Sequence, residues 1–345
     1  MKADTNIILN GNAKGTSPEV QDAFRNISHP RIREIYVSKT PEDAHQILED
    51  VIKQGDRITY WRGGDGTLLH LGNILRNLSP KNMPIIAYAK GGTGNSIANF
   101  VRSTGTIDEL ISLLSQDQNH QIPIITIPLI HTKYQGPETQ GETETFFAST
   151  GWDAQILYDY TRFKKRTPKF IHGVKGYVLS SFCLSIPKIL TEKMQRPDIT
   201  CHPDDPIIHY LAETDIITVF PNFNPQNTRL ACVSVGSVPY YGYKFKAFPH
   251  LGRVPDTFNV RLIGGSKVGT ILSLFANLPS IWSGEYQGDT FQDYFVKTLN
   301  IKYEHAVPLQ IAGDDIGHVT SVDYTLSPEP LKVIDWNKIH HPEIL

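Results

Sequence analysis

The residues best equipped for chemistry in this chain are two short glycine-rich runs, Gly63-Gly64-Asp65-Gly66-Thr67 and Gly91-Gly92-Thr93-Gly94-Asn95. The first follows the strand-like Asp56-Arg57-Ile58-Thr59-Tyr60-Trp61 and precedes Leu68-Leu69-His70-Leu71-Gly72-Asn73-Ile74-Leu75, whose apolar spacing is helical. It therefore reads as a strand-to-helix turn. In such a turn several backbone N–H groups converge on one anion near the positive end of a helix, and glycine lets the backbone approach without a Cβ in the way. Phosphate is the ligand this suits. Asp65 is badly placed to touch phosphate and better suited to hold Mg²⁺ or a substrate hydroxyl. Either loop alone would also serve as an ordinary tight turn, since glycine pairs punctuate most α/β folds.

Taken together, the two runs resemble the signature of the diacylglycerol kinase and sphingosine kinase superfamily: a Gly-Gly-Asp-Gly-Thr loop followed, one βα unit later, by a segment centred on Gly-Thr-Gly-Asn. Lys90 stands at the proline position of that second segment and Ser96 at its aspartate, so the match is to the centre. Asn6-Ile7-Ile8-Leu9 with the loop Asn10 to Gly15 resembles the family's opening strand and loop, without its proline and serine. Tyr36 to Thr40, followed by the helix-like Pro41 to Gln54, is similar to its second βα unit. Gly151-Trp152-Asp153-Ala154 resembles the family's Gly-Phe-Asp-Ala turn, and Ser237 to Gly242 a later glycine-bearing segment. The late Asp-Gly-Glu of the family corresponds to Ala312-Gly313-Asp314, which would equally suit a hairpin turn.

The resemblance implies an ATP- and Mg²⁺-dependent lipid kinase. ATP would be bound by Asn10, Thr40, Gly63, Gly64, Asp65, Gly66, Thr67, Thr93, Gly94 and Asn95. Asp65 would also place Mg²⁺ or orient the acceptor, Asp153 would serve the lipid substrate, and Asp314 would take the proton of the lipid hydroxyl at a cleft between domains. On this reading Asp65→Asn costs turnover far more than stability, and Gly64→Val removes nucleotide binding while leaving the fold intact. An NAD kinase shares the first loop, and a member that binds nucleotide or lipid without catalysis is the other alternative.

A chain of 345 residues with 40% hydrophobic content can bury a substantial core and divide into two domains. Residues 6 to about 115 alternate strand and helix patterns, as in a parallel sheet with helices on its faces. After Gln116 the texture turns β-rich. The expected organisation is an α/β nucleotide-binding domain over 1–120, a β-rich, sandwich-like lipid domain over 121–325 and a tail over 326–345 that returns to the first. The polar stretch between Ile130 and Phe146 reads as an exposed hairpin loop. Tyr160 to Lys193 reads as a helix with a basic start, either packed on the sheet or reaching ATP phosphates or anionic headgroups; Ile271 to Leu278 reads as acyl-pocket wall or plain core.

The formal net charge of −2 argues against a general nucleic-acid binder. Cys183, Cys201 and Cys232 form no C-x-x-C and suggest neither a disulfide framework nor a zinc site, and His340-His341 reads as a surface pair. The N-terminus lacks a signal-peptide h-region and no run is long enough to span a bilayer. The expectation is a cytoplasmic enzyme that meets the membrane surface from the side.

Overall fold

The computed structural model describes residues 3–55, 57–78, 83–92, 94–116, 122–172, 174–191, 194–211, 216–220, 229–286, 288 and 290–341. In chain order the first elements are β1 (Thr5–Asn10), α1 (Pro18–Arg25), β2 (Ile32–Ser38), α2 (Pro41–Gln54), β3 (Ile58–Gly63), α3 (Asp65–Leu78), β4 (Ile85–Lys90), α4 (Ser96–Phe100), α5 (Ile107–Leu114) and β5 (Ile124–Ile127). Next come β6 (Ile130–Gln135), β7 (Gln140–Thr145), β8 (Phe147–Gly151), α6 (Trp152–Arg166), α7 (Val174–Ser180), α8 (Ile186–Thr191), β9 (Asp198–Thr200), β10 (Ile207–Leu211), β11 (Ile216–Phe220) and β12 (Leu230–Gly236). The chain continues through β13 (Phe258–Gly264), α9 (Lys267–Ala276), α10 (Leu278–Ser283), β14 (Phe291–Val296), β15 (Thr298–Ile311), β16 (Asp314–Leu326), β17 (Leu331–Ile334) and α11 (Trp336–His340).

Two compact units result: residues 1–129, 240–245 and 328–345 form the first, and 130–239 with 246–327 the second. The first contains a six-stranded sheet in the order β2-β1-β3-β4-β17-β5, parallel except for β5, which runs antiparallel to β17. Near-continuous apolar strands build it: Ile7, Ile8 and Leu9 of β1 and Tyr60 and Trp61 of β3 are fully buried, as befits strands covered on both faces. The first boundary falls at 129, not 120, because β5 joins this sheet and not the β-rich unit. Trp336 of α11 is buried, edge-on to Tyr60 with ring centroids 6.5 Å apart, and its indole N–H donates to the Tyr88 carbonyl at 2.8 Å.

The second unit is an antiparallel sheet in the order β11-β10-β14-β13-β12-β8-β15-β16-β6-β7, with β9 paired to β15. Its core includes Val235, Phe258, Val260, Val296, Leu299, Ile301, Val319 and Val322. The polar stretch after Ile130 is not a loop but the paired strands β6 and β7, whose alternating polar residues face outward from an antiparallel ladder. Only two residues connect β15 to β16, Ala312 at φ +50° and Gly313 at φ +87°, the signs of a type I′ turn. The segment from Tyr160 continues α6 to Arg166, and α7 and α8 join through a π-turn over Ser181–Ser185; Lys193 lies outside the described residues. Leu272 and Phe275 of the expected core or pocket wall are instead exposed.

Trp336→Ala removes a buried ring and its hydrogen bond from the first unit, and is expected to cost about 3–5 kcal/mol. Urea denaturation of the full chain checks this.

Candidate functional site

In the first unit β1 lies between β2 and β3, so the connections leave it in opposite directions. The crevice at the carboxyl ends of strands at such a reversal is where open α/β sheets bind ligands. Asn10 ends β1, Gly63 ends β3 and Lys90 ends β4, with Gly63 and Lys90 in register. The loops that follow are thereby adjacent. Gly15 N–H donates to the Gly91 carbonyl at 2.9 Å, and Arg62 donates through Nη2 to the Gly15 carbonyl at 2.9 Å and through Nη1 to Gly105.

The two glycine runs touch backbone to backbone. A Cβ on Gly92 would overlap the Gly64 Cα, and one on Gly91 would lie 2.9 Å from the Gly63 nitrogen. Asp65 joins them: Oδ2 accepts from Ser96 N–H at 2.8 Å and Oδ1 from Ile97 N–H at 3.0 Å. Burial raises the Asp65 pKa above its ordinary value, and these two bonds oppose the rise. Asn95, left-handed at φ +53°, closes its own loop by accepting from Gly92 N–H at 2.9 Å and donating to the Gly92 carbonyl at 2.7 Å. Asn10 donates from Nδ2 to Thr67 Oγ1 at 2.6 Å.

Helix α3 begins within the first run. The N–H groups of Thr67 and Leu68 bond to the Gly64 carbonyl, so Asp65 and Gly66 carry the first-turn N–H groups without an intrahelical acceptor. A Cβ on Gly66 would meet nothing within 4 Å, whereas one on Gly64 would press on Gly92 at 3.2 Å. The open face of the loop is thus at Gly66. Thr40 is exposed and its hydroxyl caps α2, accepting from Asp43 N–H at 3.0 Å; Asn12, in the loop after β1, donates from Nδ2 to the neighbouring Lys39 carbonyl at 2.5 Å. Thr93 lies outside the described residues. The stretch Ser237 to Gly242 that sequence singled out runs into the short segment 240–245 of this unit, where Tyr243, a residue sequence did not mark, donates its N–H to the Gly94 carbonyl at 3.2 Å. Tyr243 and Lys244, the two central residues of the turn that Gly242 and Phe245 close, both hold positive φ, 47° and 62°, with no glycine at either central position. Such backbone strain tends to persist at functional sites.

The second unit holds Asp153 and Asp314, and a buried polar chain relates them. Gly313 N–H donates to Gln310 Oε1 at 2.9 Å, Gln310 Nε2 to Ser149 Oγ at 3.0 Å, and Ser149 Oγ to Asp153. Neither Gln310 nor Ser149 was singled out by sequence; their pairing across β15 and β8 provides the link. Asp314 opens β16, exposed to solvent; surrounding protein raises its pKa and Lys164 opposes the rise, both effects softened by that solvent. Beside the Gly151-Trp152 turn lies a cavity of about 390 Å³, lined among others by Trp152, Met194, Leu230, Val233, Tyr303 and Val307.

Among the described residues no three or more His, Cys, Asp or Glu side chains cluster to hold a metal. A magnesium ion carried mainly by nucleotide phosphates needs only one or two carboxylates from the protein. Each Asp65 oxygen carries one of the two backbone bonds above and retains a lone pair.

Residues 5–127 match the family described as the diacylglycerol kinase catalytic domain. That segment belongs to the diacylglycerol kinase family. Both glycine runs and Asp65 fall within the matched kinase domain. The two-unit fold is that of a candidate diacylglycerol kinase from Bacillus anthracis str. Sterne, 14% identical over 99% of this chain and 98% of that one, with a TM-score of 0.61. A further crystal structure of a diacylglycerol kinase from the same organism is 14% identical over 96% of each chain, with a TM-score of 0.55. An NAD kinase from Archaeoglobus fulgidus in complex with ATP is more remote, at 11% identity and a TM-score of 0.43. No curated protein matches the chain at a significant level.

The geometry revises two expected mutant effects. Asp65→Asn leaves one of two backbone N–H groups facing an amide NH₂ and is expected to cost about 1–3 kcal/mol of stability, measured by urea denaturation. Gly64 is no clean probe of phosphate, because its own Cβ would crowd Gly92; Gly66→Ala is. Gly66→Ala should leave stability unchanged or raise it by up to ~1 kcal/mol while weakening ATP about tenfold or more by calorimetry. Unchanged ATP affinity in Gly66→Ala would exclude the α3 N-terminus from phosphate binding.

Proposed function

We propose that the protein transfers the γ-phosphate of ATP to the hydroxyl of a lipid such as diacylglycerol or a sphingoid base. The observation that carries this reading is the pair of glycine loops clasped by Asp65 at the carboxyl end of a parallel sheet, in a segment of a kinase family. The N–H groups of Asp65 and Gly66 at the start of α3 hold phosphate oxygens, and Asn10, bonded to Thr67, fixes the loop's flank. Mg²⁺, when bound, neutralises charge on the transferring phosphoryl group. Asp65, next to Gly66 in the chain and tethered through both oxygens, is the carboxylate this reading assigns to the ion.

Asp314 is the base of the proposed reaction. The acceptor hydroxyl oxygen forms a bond to the γ-phosphorus, the bond to the bridging oxygen of ADP breaks, and the hydroxyl proton passes to the Asp314 carboxylate. A pKa raised above the ordinary aspartate value brings that carboxylate closer to the working pH of a general base. The cavity beside Trp152 has the size of a small-ligand site and enough apolar wall to take part of an acyl chain, with Asp153 on the adjoining turn for the polar end.

The reading is tested with radiolabelled ATP and a mixed lipid extract, with NAD⁺ as a soluble control acceptor. Label on a lipid and none on NAD⁺ is the expected result; label on NAD⁺ alone overturns it. Asp314→Asn should lower kcat by roughly 10²–10⁴-fold with ATP affinity nearly unchanged, and Asp314→Glu should retain activity. Because the base must be deprotonated, wild-type kcat should rise with pH along an acid limb lying above the ordinary aspartate range. Asp315→Asn is the control, and wild-type rates in both asparagine variants would place the base elsewhere.

A further inference from the structure

Eleven of the fourteen large apolar side chains exposed among the described residues fall on two helical segments and the turn leading into the first of them. On one side stand Phe170, 83% exposed, with Leu179, Phe182 and Leu190 of α7, the π-turn and α8. On the other, Val268, Leu272, Phe275, Leu278 and Trp282 project from α9 and α10, Val268 at 67% exposure. The two sides are continuous. Phe182 and Phe275 meet with ring centroids 6.4 Å apart, and Lys267 Nζ donates to the Leu190 carbonyl at 2.6 Å. A soluble surface rarely keeps so many large apolar groups together unless something covers them.

Charge indicates what covers them. From Arg162 to Thr191 the chain carries seven Lys and Arg residues and no Asp or Glu, and 267–283 adds Lys267 and again no acid, although the whole protein has a net charge of −2. Lys165, Arg166 and Lys175 are exposed. Of the cations on the face, Lys188 is paired with the buried Asp159, and Lys164 lies against the Tyr160 ring and near Asp314. Aromatic and aliphatic side chains flanked by a lysine- and arginine-rich stretch that carries no acid of its own match an anionic bilayer, where rings and methyl groups enter the acyl boundary and cations meet headgroup phosphates. No described helix is long and apolar enough to cross a membrane, so contact from one side is what this face offers.

We propose that α7–α8 and α9–α10, with the basic end of α6, form a single docking face for anionic phospholipid bilayers. The inference goes beyond the acceptor reading and does not depend on it. It is tested without ATP, by co-sedimenting the full chain with vesicles of phosphatidylcholine alone or mixed equally with phosphatidylglycerol. The expected result is binding to the mixed vesicles that weakens with salt. Lys165→Glu with Arg166→Glu and Lys175→Glu should weaken it about fivefold per cation, on the order of 10²-fold in all. Phe182→Ser with Phe275→Ser should weaken it about tenfold or more. Should the phenylalanine pair fail to fold by circular dichroism, the charge triple, whose side chains are exposed, carries the test. Absence of binding, equal binding to both vesicles, or variants indistinguishable from wild type overturns the proposal. So does self-association in solution that the phenylalanine variant abolishes, which assigns the face to a second copy. A protein that fails on vesicles yet phosphorylates detergent-dispersed lipid loses this proposal and keeps the kinase reading.

Discussion

The first unit depends on one close approach, backbone against backbone, between the loop after β3 and the loop after β4. Adjacent parallel strands bring Gly63 level with Lys90, and the loops beyond them have space only for glycine at Gly91 and Gly92. Such an approach crowds polar backbone groups together, and these need partners once water is excluded. The Asp65 carboxylate supplies two acceptors for the start of α4, and the Asn95 amide closes the second loop on Gly92. The clasp gives partners to the Gly92, Ser96 and Ile97 N–H groups, while at the start of α3 the Asp65 and Gly66 N–H groups lack an intrahelical acceptor, on the side where Gly66 has no neighbour. Structural demand thus falls on Gly91 and Gly92 and leaves Gly66 open.

The second unit solves a similar problem with side chains. Its two candidate site carboxylates sit at the ends of strands, Asp314 after a two-residue turn and Asp153 at the start of α6. Gln310 and Ser149, paired across β15 and β8, pass a hydrogen-bond chain from that turn to Asp153. A satisfied buried polar chain of this kind fixes relative position more tightly than apolar packing does, because a displaced member leaves an unpaired group in low dielectric. Cys232 faces Gly151 across β12 and β8, and burial together with the Asp153 charge pushes its thiol well above the ordinary range, so it stays a neutral packing group.

What the sequence made legible was local. Strand, glycine turn and amphipathic helix repeat at short range over 6–115, and the glycine runs follow from a few adjacent residues. What it hid was contact at long range. Ser149 and Gln310 are 161 positions apart, and Gly94 meets Tyr243 from the far half of the chain. Apolar content could not assign β5 either, because Ile124 to Ile127 would suit any strand; its pairing with β17, placed by the return of the C-terminal segment, decides the sheet. The polar hairpin β6–β7 reads as loop for the opposite reason, since strands exposed on one face carry too few apolar residues to stand out. Asp65 is the sharpest case. Its type and position suggest metal chemistry, yet its partners, thirty-one and thirty-two residues on, are backbone N–H groups that no side-chain pattern records.

Local rules are broken where the units have work to do. Tyr243 and Lys244 occupy a conformation that glycine or asparagine would hold with less strain, each at a cost of roughly 1–2 kcal/mol, and they do so against the second glycine loop. The helices of the second unit break a different rule by turning Phe182 and Phe275 outward. Selection for stability alone would remove both features, since each has a simple remedy: glycine at the two central positions of the turn, a polar residue on the helix. Their coexistence with cores as well packed as those around Trp336 and Phe258 indicates that folding was satisfied elsewhere, and that turn and face are kept for what they meet.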